Sequence, residues 1–329
     1  MNPSSLTRRR FLSMSAAGAV GTLATISRSE EYKRIKAQIA ITFDLEMSRH
    51  YPKRGMLEWD YQKGNLDEAT KKYSVEAANV ARERGGKIHF FCVGRVLEQA
   101  NIDWIKQIAA GGHPIGNHTY DHVNVLAKTP EEIQYRFRRS PWLTRGRSIK
   151  DVLHENIRLT SIGLKQRAGI QANGFRTPGG FQNGLIGCED IQQMLLTQGF
   201  TWASSKYPRF NAGKPKEPPT DEVFANILRA HAESQPFRYK SGLVEIPMSP
   251  ISDDHAFRDL FWSRKQFLKA IRLIVEWTIE NRAVFDFICH PSIMVVEDPQ
   301  HEAIKLICDL VRNSGGLAEI VGLDQITVA

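Results

Sequence analysis

The chain is poor in cysteine. Cys92, Cys188, Cys289 and Cys308 are the only four in 329 residues. No two of them form a CxxC pair, which excludes a zinc ribbon and a thioredoxin-like redox motif and leaves isolated, buried thiols as the expectation. Strongly apolar runs of about 18 residues are also missing. At a mean hydropathy of −0.35 this excludes a polytopic membrane protein. No GxGxxG or GxxxxGK[ST] follows the first strand-like run, which argues against a nucleotide site. The charge excess is mild, 44 basic against 36 acidic side chains, and three of the basic residues are crowded at Arg8, Arg9 and Arg10. Such a balance gives little reason to expect nucleic acid as a partner, while an anionic polymer at a cell surface remains acceptable. There is no internal repeat and no low-complexity block. What is present, 42% apolar and 24% charged, is an ordinary globular composition that can bury a large core.

The first residues read as an address. Thr7-Arg8-Arg9-Arg10-Phe11-Leu12, followed by an Ala/Gly-rich, weakly apolar stretch to Ile26, resembles the twin-arginine export motif. A disordered basic tail has no use for Phe11, Leu12 and the apolar run. The expectation is a signal peptide and linker over residues 1–28, with small residues at Thr22 and Ala24 permitting cleavage after Ala24. A barrel over 29–329 is then expected in the periplasm or outside the cell, with no stable membrane insertion once the signal is removed.

Beyond Lys36, short apolar runs alternate with helix-spaced stretches. Strands are expected at 37–43, 88–93, 114–117, 174–176, 200–203, 243–246 and 284–289. Helices are expected at 69–84, 102–110, 130–138, 150–163, 188–198, 265–280 and 300–313. Strand and helix in alternation imply parallel strands with crossovers, and seven or so units in about 290 residues suit a closed (β/α) barrel better than an open sheet. Two stretches, 47–65 and 206–222, break the rhythm as long loops of the kind that shape a substrate mouth.

Polar residues collect where the strands end. The first strand ends Phe43-Asp44-Leu45-Glu46, two carboxylates flanking one residue, which suggests a cation or a proton transfer. The third runs into His118-Thr119-Tyr120-Asp121-His122, and two histidines four apart share one face if the segment makes a helical turn, the spacing of a bidentate metal site. Taken alone, an HxxxH is more often a helix cap and a solvated histidine; beside a carboxylate pair at another strand end, metal is favoured. Arg176-Thr177-Pro178-Gly179 places an arginine before a rigid turn, either to hold a carboxylate or as a surface ion pair of little worth. Cys289-His290-Pro291 fixes a histidine that is either a proton donor or a satisfied core residue.

These motifs, in this order, resemble those of the polysaccharide deacetylase family, carbohydrate esterase family four, from about Ala37 onward. The resemblance implies a distorted (β/α)7 barrel in one α/β domain and a divalent metal, usually zinc. By the same resemblance Glu46, His118 and His122 are metal ligands, Asp44 is the general base oriented by Arg176, and His290 is the general acid. The substrate it implies is an acetylated amino-sugar glycan; relatives act on cyclic ureides such as allantoin, and a glycan-binding pseudoenzyme is the non-catalytic alternative. The intervening Leu45 and the Glu in place of a second Asp resemble a subgroup that includes peptidoglycan deacetylases and allantoinase-like enzymes. Relatives often carry an aspartate near Ala203 that tunes the acid histidine; its absence implies either weaker catalysis or substitution by Asp253, Asp254 or Glu245. Backbone N–H groups near Thr119 or Tyr120 are candidate oxyanion donors. Trp59, Tyr61, Trp202 and Tyr207 are candidates for stacking on a sugar ring, with ordinary core packing the competing reading.

Overall fold

The computed structural model describes residues 36–328. The signal reading at 1–28 therefore lies outside the described residues. Among the described residues nine strands form one sheet: β1 (Ala37–Leu45), β2 (His89–Cys92), β3 (Ile115–Asn117), β4 (Phe175–Phe181), β5 (Trp202–Lys206), β6 (Phe237–Arg238), β7 (Val244–Glu245), β8 (Val284–Cys289) and β9 (Ala318–Ile320). Their order is β6-β7-β5-β4-β3-β2-β1-β8, with β9 pairing the start of β1. Every pairing is parallel except the short β6–β7 hairpin. Seven of the eight parallel strands, all but β9, thus curl into an incomplete barrel. Its open side, between the β6–β7 hairpin and β8, is bridged where the N–H of Ser249 donates to the carbonyl of Asp286 at 2.9 Å. The fold is the distorted (β/α)7 barrel that the motifs imply.

Period-two alternation along the strands sorts the core into shells. The outward residues of β1 and β8, Phe43, Leu45, Phe285, Phe287 and Cys289, join one apolar cluster with Tyr73 and Ala77 of helix Glu68–Glu83 and with Phe267, Ile271 and Ile274 of helix Arg264–Asn281. A second cluster packs helices Ile149–Gly163 and Glu189–Thr197 against β4 and β5. Inside the barrel, Ala40, Phe91, Trp202 and Ile246 make a small apolar plug. The next inward positions along β1, β4, β5 and β8 are Thr42, Arg176, Ser204 and Asp286, all buried and polar. Glycine at 174 makes the plug possible: its φ is +75°, and a Cβ there would lie 1.8 Å from the Trp202 ring.

Several expectations shift in the structure. The run after Gly174 does not end at Arg176 but continues to Phe181, with a register irregularity between those two residues where Pro178 and Gly179 fall. The single helix expected over 130–138 breaks at Gln134, whose backbone is extended; its side chain caps the following Tyr135–Arg139 segment by accepting from the Arg136 N–H. Helix Asp221–Ala232, capped by Thr220, follows the loop 206–222, and helix Pro291–Glu297 starts directly after His290; neither is evident from the alternation alone. All four cysteines are free, three of them buried. Among the described residues no helix is long and apolar enough to cross a membrane.

Candidate active site

Alternation on β1 explains the spacing of the two carboxylates. Thr42, Asp44 and Glu46 stand two apart and face the barrel interior, whereas Phe43 and Leu45 face the helices; Leu45 is the spacer that keeps both acids on one side. On β8 the same rule lines up Asp286, Ile288 and, just past the strand end, His290. These positions converge on a cleft of about 300 Å³ at the C-terminal ends of the strands, lined by Asp44, Glu46, His118, His122 and His290. This is where parallel α/β barrels gather their reactive groups.

His118 and His122 come together, but not on a helix. The segment after β3 is an irregular loop in which Thr119 and His122 have φ of +56° and +57°. Left-handed backbone at two non-glycine positions is costly and persists only where its surroundings fix it. Here the N–H of Thr119 donates to Asn117 Oδ1 at 2.9 Å, and Asp121 is buried and held by Arg95 at 3.0 Å and by Arg136. The Thr119 N–H is therefore already committed and is not a free oxyanion donor.

His118 Nδ1 lies 3.0 Å from the carbonyl oxygen of Arg176, which can only accept, so the ring donates there and turns an unprotonated Nε2 to the cleft. That Nε2 is buried without a hydrogen-bond partner among the described residues, 3.6 Å from Asp44 Oδ2 and 3.9 Å from Glu46 Oε2. His122 Nε2 is 2.5 Å from the same Glu46 oxygen. Burial lowers the pKa of His118 to about 4, so its imidazole stays neutral. Burial works against ionisation of Glu46, but His122 and the Lys63 ammonium, 3.0 Å away, hold its carboxyl well below the usual range. A nitrogen lone pair aimed at two carboxylates is an all-acceptor set. A cation satisfies it, and the two imidazoles with one carboxylate match zinc's usual ligands.

Beneath this set Arg176 is completely buried. Its Nη1 donates to Asp44 Oδ1 at 3.1 Å and to Thr42 Oγ1 at 2.7 Å, its Nη2 pairs with Asp286, and its plane lies over the Phe91 ring at 4.3 Å. Arg176 is no surface ion pair but the support of Asp44. Burial raises the Asp286 carboxyl to about 6 even with the guanidinium opposing it.

Of the three acids named as substitutes near Ala203, the structure selects one. Asp253 Oδ1 is 2.8 Å from His290 Nδ1, and Asp253 Oδ2 accepts the His290 backbone N–H at 2.6 Å. Burial disfavours the imidazolium of His290, yet the Asp253 carboxylate overcomes it and raises the ring to about 10. Asp254 is instead paired with Arg258 at 2.9 Å, and Glu245 is taken up by the Ser205 and Tyr239 side chains. The opposite end of the His290 ring, Nε2, points toward Glu46 at 3.8 Å.

The family model described as polysaccharide deacetylase matches residues 32–194. Residues 32–194 form a polysaccharide deacetylase domain. That family carries out hydrolytic deacetylation of glycans. Solved structures agree on the fold. A Mycobacterium smegmatis protein assigned as a polysaccharide deacetylase is 16% identical with a TM-score of 0.56, over 88% of this chain and 87% of its own. PuuE allantoinase is 11% identical with a TM-score of 0.56, over 88% of each chain. A Pseudomonas aeruginosa PAO1 protein assigned as a polysaccharide deacetylase is 12% identical with a TM-score of 0.54, over 84% of this chain and 85% of its own. No curated protein matches the sequence.

Within this deacetylase fold the structure adds residues that the motifs do not mark. Lys63, from the loop 47–65, reaches Glu46, and Asp286 and Ser204 complete the cradle of Arg176. Asp286 was open to detection as the one acid inside the apolar run Val284–Cys289; Lys63 carries no such signal. Of the aromatic candidates, Tyr207 lines the cleft, with its hydroxyl 2.8 Å from Ser252 Oγ. Trp202 does not: it is buried in the plug against Phe91 and His89. Trp59 and Tyr61 stand together in a neighbouring groove.

Proposed function

We propose that the chain is an exported, divalent-metal-dependent amide hydrolase that removes N-acetyl groups from an amino-sugar glycan. The observation that carries this reading is the unpartnered Nε2 of His118, buried opposite Asp44 and Glu46 with His122 beside it. Glu46, His118 and His122 would hold the metal, zinc by their donor chemistry. Bound there, a divalent cation supplies a Lewis acid for the acyl carbonyl and makes water more acidic.

The remaining work falls to the chain's own side chains. Asp44, held by Arg176, accepts a proton from the attacking water. His290 donates a proton from Nε2 to the departing amide nitrogen as the C–N bond breaks, while Asp253 fixes the ring through Nδ1. One group must be unprotonated while the other carries its proton, and the Asp253 carboxylate beside His290 favours the protonated ring.

Acetate release from a panel of acetylated glycans, run beside allantoin, tests the reading. Acetate from a glycan is the expected result; turnover of allantoin alone favours a cyclic-amide hydrolase, and glycan binding without turnover favours a pseudoenzyme.

Asp253 gives a narrower prediction. Asp253→Asn keeps the shape but loses the charge that orients and protonates His290, so kcat should fall roughly 10- to 100-fold with metal content and melting temperature near wild type. An unchanged kcat would remove Asp253 from the mechanism.

Export rests on Arg8, Arg9 and the apolar stretch behind them. Replacing Arg8 and Arg9 together by Lys should leave folded protein in the cytoplasm on cell fractionation. Export of this variant at the normal level would contradict the twin-arginine route.

A further inference from the structure

Lys63 belongs to no motif, yet its ammonium lies inside the site. Its Nζ is 3.0 Å from Glu46 Oε1, and the two side chains are only 12% and 4% exposed, so this is no surface ion pair of little worth. Lys63 reaches the cleft from the loop 47–65 and lines it together with His122.

The two oxygens of Glu46 have different neighbours. Oε2 faces the imidazoles, with His122 Nε2 at 2.5 Å and His118 Nε2 at 3.9 Å. Oε1 accepts from Lys63, and no other donor among the described residues bonds to it. His290 Nε2 stands 3.8 Å from that oxygen, too far for a hydrogen bond. The carboxylate is therefore held by one oxygen and turned toward the histidines by the other.

The loop does not need this ion pair to keep its course. The N–H of Met47 donates to the carbonyl of Lys63 at 2.8 Å, and Gln99 Nε2 donates to that of Leu66 at 3.0 Å. Between these bonds Gly64 runs so close to the neighbouring chain that a Cβ would lie 2.6 Å from both Arg95 Cβ and the Val96 nitrogen. The histidine loop rests on the same segment: the N–H groups of Gly94 and Arg95 donate to the carbonyls of Thr119 and Tyr120 at 2.9 Å and 3.1 Å. Residues 94–96 are thus a common seat for the loop that carries Lys63 and the loop that carries His118 and His122.

We propose that Lys63 is a positioning residue for Glu46, fixing the carboxylate so that Oε2 is presented with His118 and His122 to a divalent cation before the cation arrives. This inference rests on the metal-dependent reading. An ammonium has no lone pair, so Lys63 adds no ligand of its own. A glutamate side chain that is not held must give up its rotamer freedom when it binds a cation. Hydrogen bonds to a ligating carboxylate from outside the ligand set remove that cost, and losing such a partner typically weakens metal binding or activity 10- to 100-fold. Repulsion between the ammonium and the cation acts the other way, but across a carboxylate whose negative charge lies between them.

The test is the zinc affinity of the metal-stripped chain, read by competition with a chromophoric chelator, in wild type, Lys63→Met and Lys63→Arg. Lys63→Met should bind zinc roughly tenfold or more weakly while its circular dichroism stays that of wild type, and Lys63→Arg, which keeps a cationic donor, should recover most of the loss. Zinc held by Lys63→Met as tightly as by wild type overturns the inference. A loss of equal size in both variants overturns it too, because the loop and not the hydrogen bond then sets the affinity. Lys63→Gln replaces Lys63→Met, with the same expectations, if the latter does not fold. Acetate release by wild type in the same samples keeps two failures apart. If wild type binds zinc and releases acetate while Lys63→Met binds zinc equally well, only the role of Lys63 falls; if wild type binds no zinc, the metal-dependent reading falls and takes this inference with it.

Discussion

Asp44→Asn should slow acetate release on the order of 10²-fold or more while the protein stays folded and keeps its metal. The amide can still accept from Arg176 Nη1, now 3.1 Å from Asp44 Oδ1, so the support beneath it survives. What is lost is the group that takes the proton from water. Glu46→Gln should fail differently. A neutral amide is a poor third ligand beside His118 and His122, so metal occupancy falls, and excess zinc restores part of the activity. If Asp44→Asn loses the metal and Glu46→Gln retains it, the two roles are exchanged. Steady-state kinetics with metal analysis on both variants decides between these outcomes.

Arg176→Met should be the most damaging single change to the fold. It leaves Asp286 and Asp44 buried without their guanidinium, and removing one partner of a buried ion pair typically costs about 3–5 kcal/mol. In a chain of this size that lowers the melting temperature on the order of 10 °C. The pH dependence has a definite sign. Burial already raises Asp286 to about 6 in the presence of Arg176, and loss of the cation raises it further. A carboxyl raised in the folded state binds protons more tightly there than in the unfolded chain, so stability falls as pH rises from the unfolded value to the folded one. The deficit of Arg176→Met should therefore be larger at pH 7.5 than at pH 5. Melting curves that run parallel across that range would mean that Asp286 does not carry the cost.

How much of this is visible in the sequence depends on whether a residue sits in a regular element. β8 is expected and observed at the same limits, Val284–Cys289, because an unbroken apolar run between a helix and His290-Pro291 leaves little choice. Asp44, Glu46, His118 and His290 come together because each stands at the end of a strand or one residue past it, and ends of parallel strands converge in a barrel; Arg176 joins them from inside β4 and His122 from the loop after β3. Loops obey no such period. The HxxxH spacing suggests a helical turn, and the segment reaches a similar convergence through left-handed backbone at Thr119 and His122, set by Asn117 and Asp121. Asp253 stands 37 residues before His290 in a segment without alternation, so it appears in the sequence only as one of three substitutes for an acid absent at Ala203. Trp202 was ambiguous for the opposite reason: an aromatic at a strand start fits a platform or a plug equally well until Gly174 and Phe91 are seen against it.

In the proposed function His118, His122 and Glu46 hold a divalent metal on which deacetylation depends. The most direct measurement is acetate release from an acetylated amino-sugar glycan, followed through removal of metal by a chelator and its return, with metal content measured at each step. About one zinc per active chain is expected, with loss of activity in step with loss of metal, and recovery on adding zinc back to wild type but only in part to Glu46→Gln. Full activity in chain stripped of metal would contradict it.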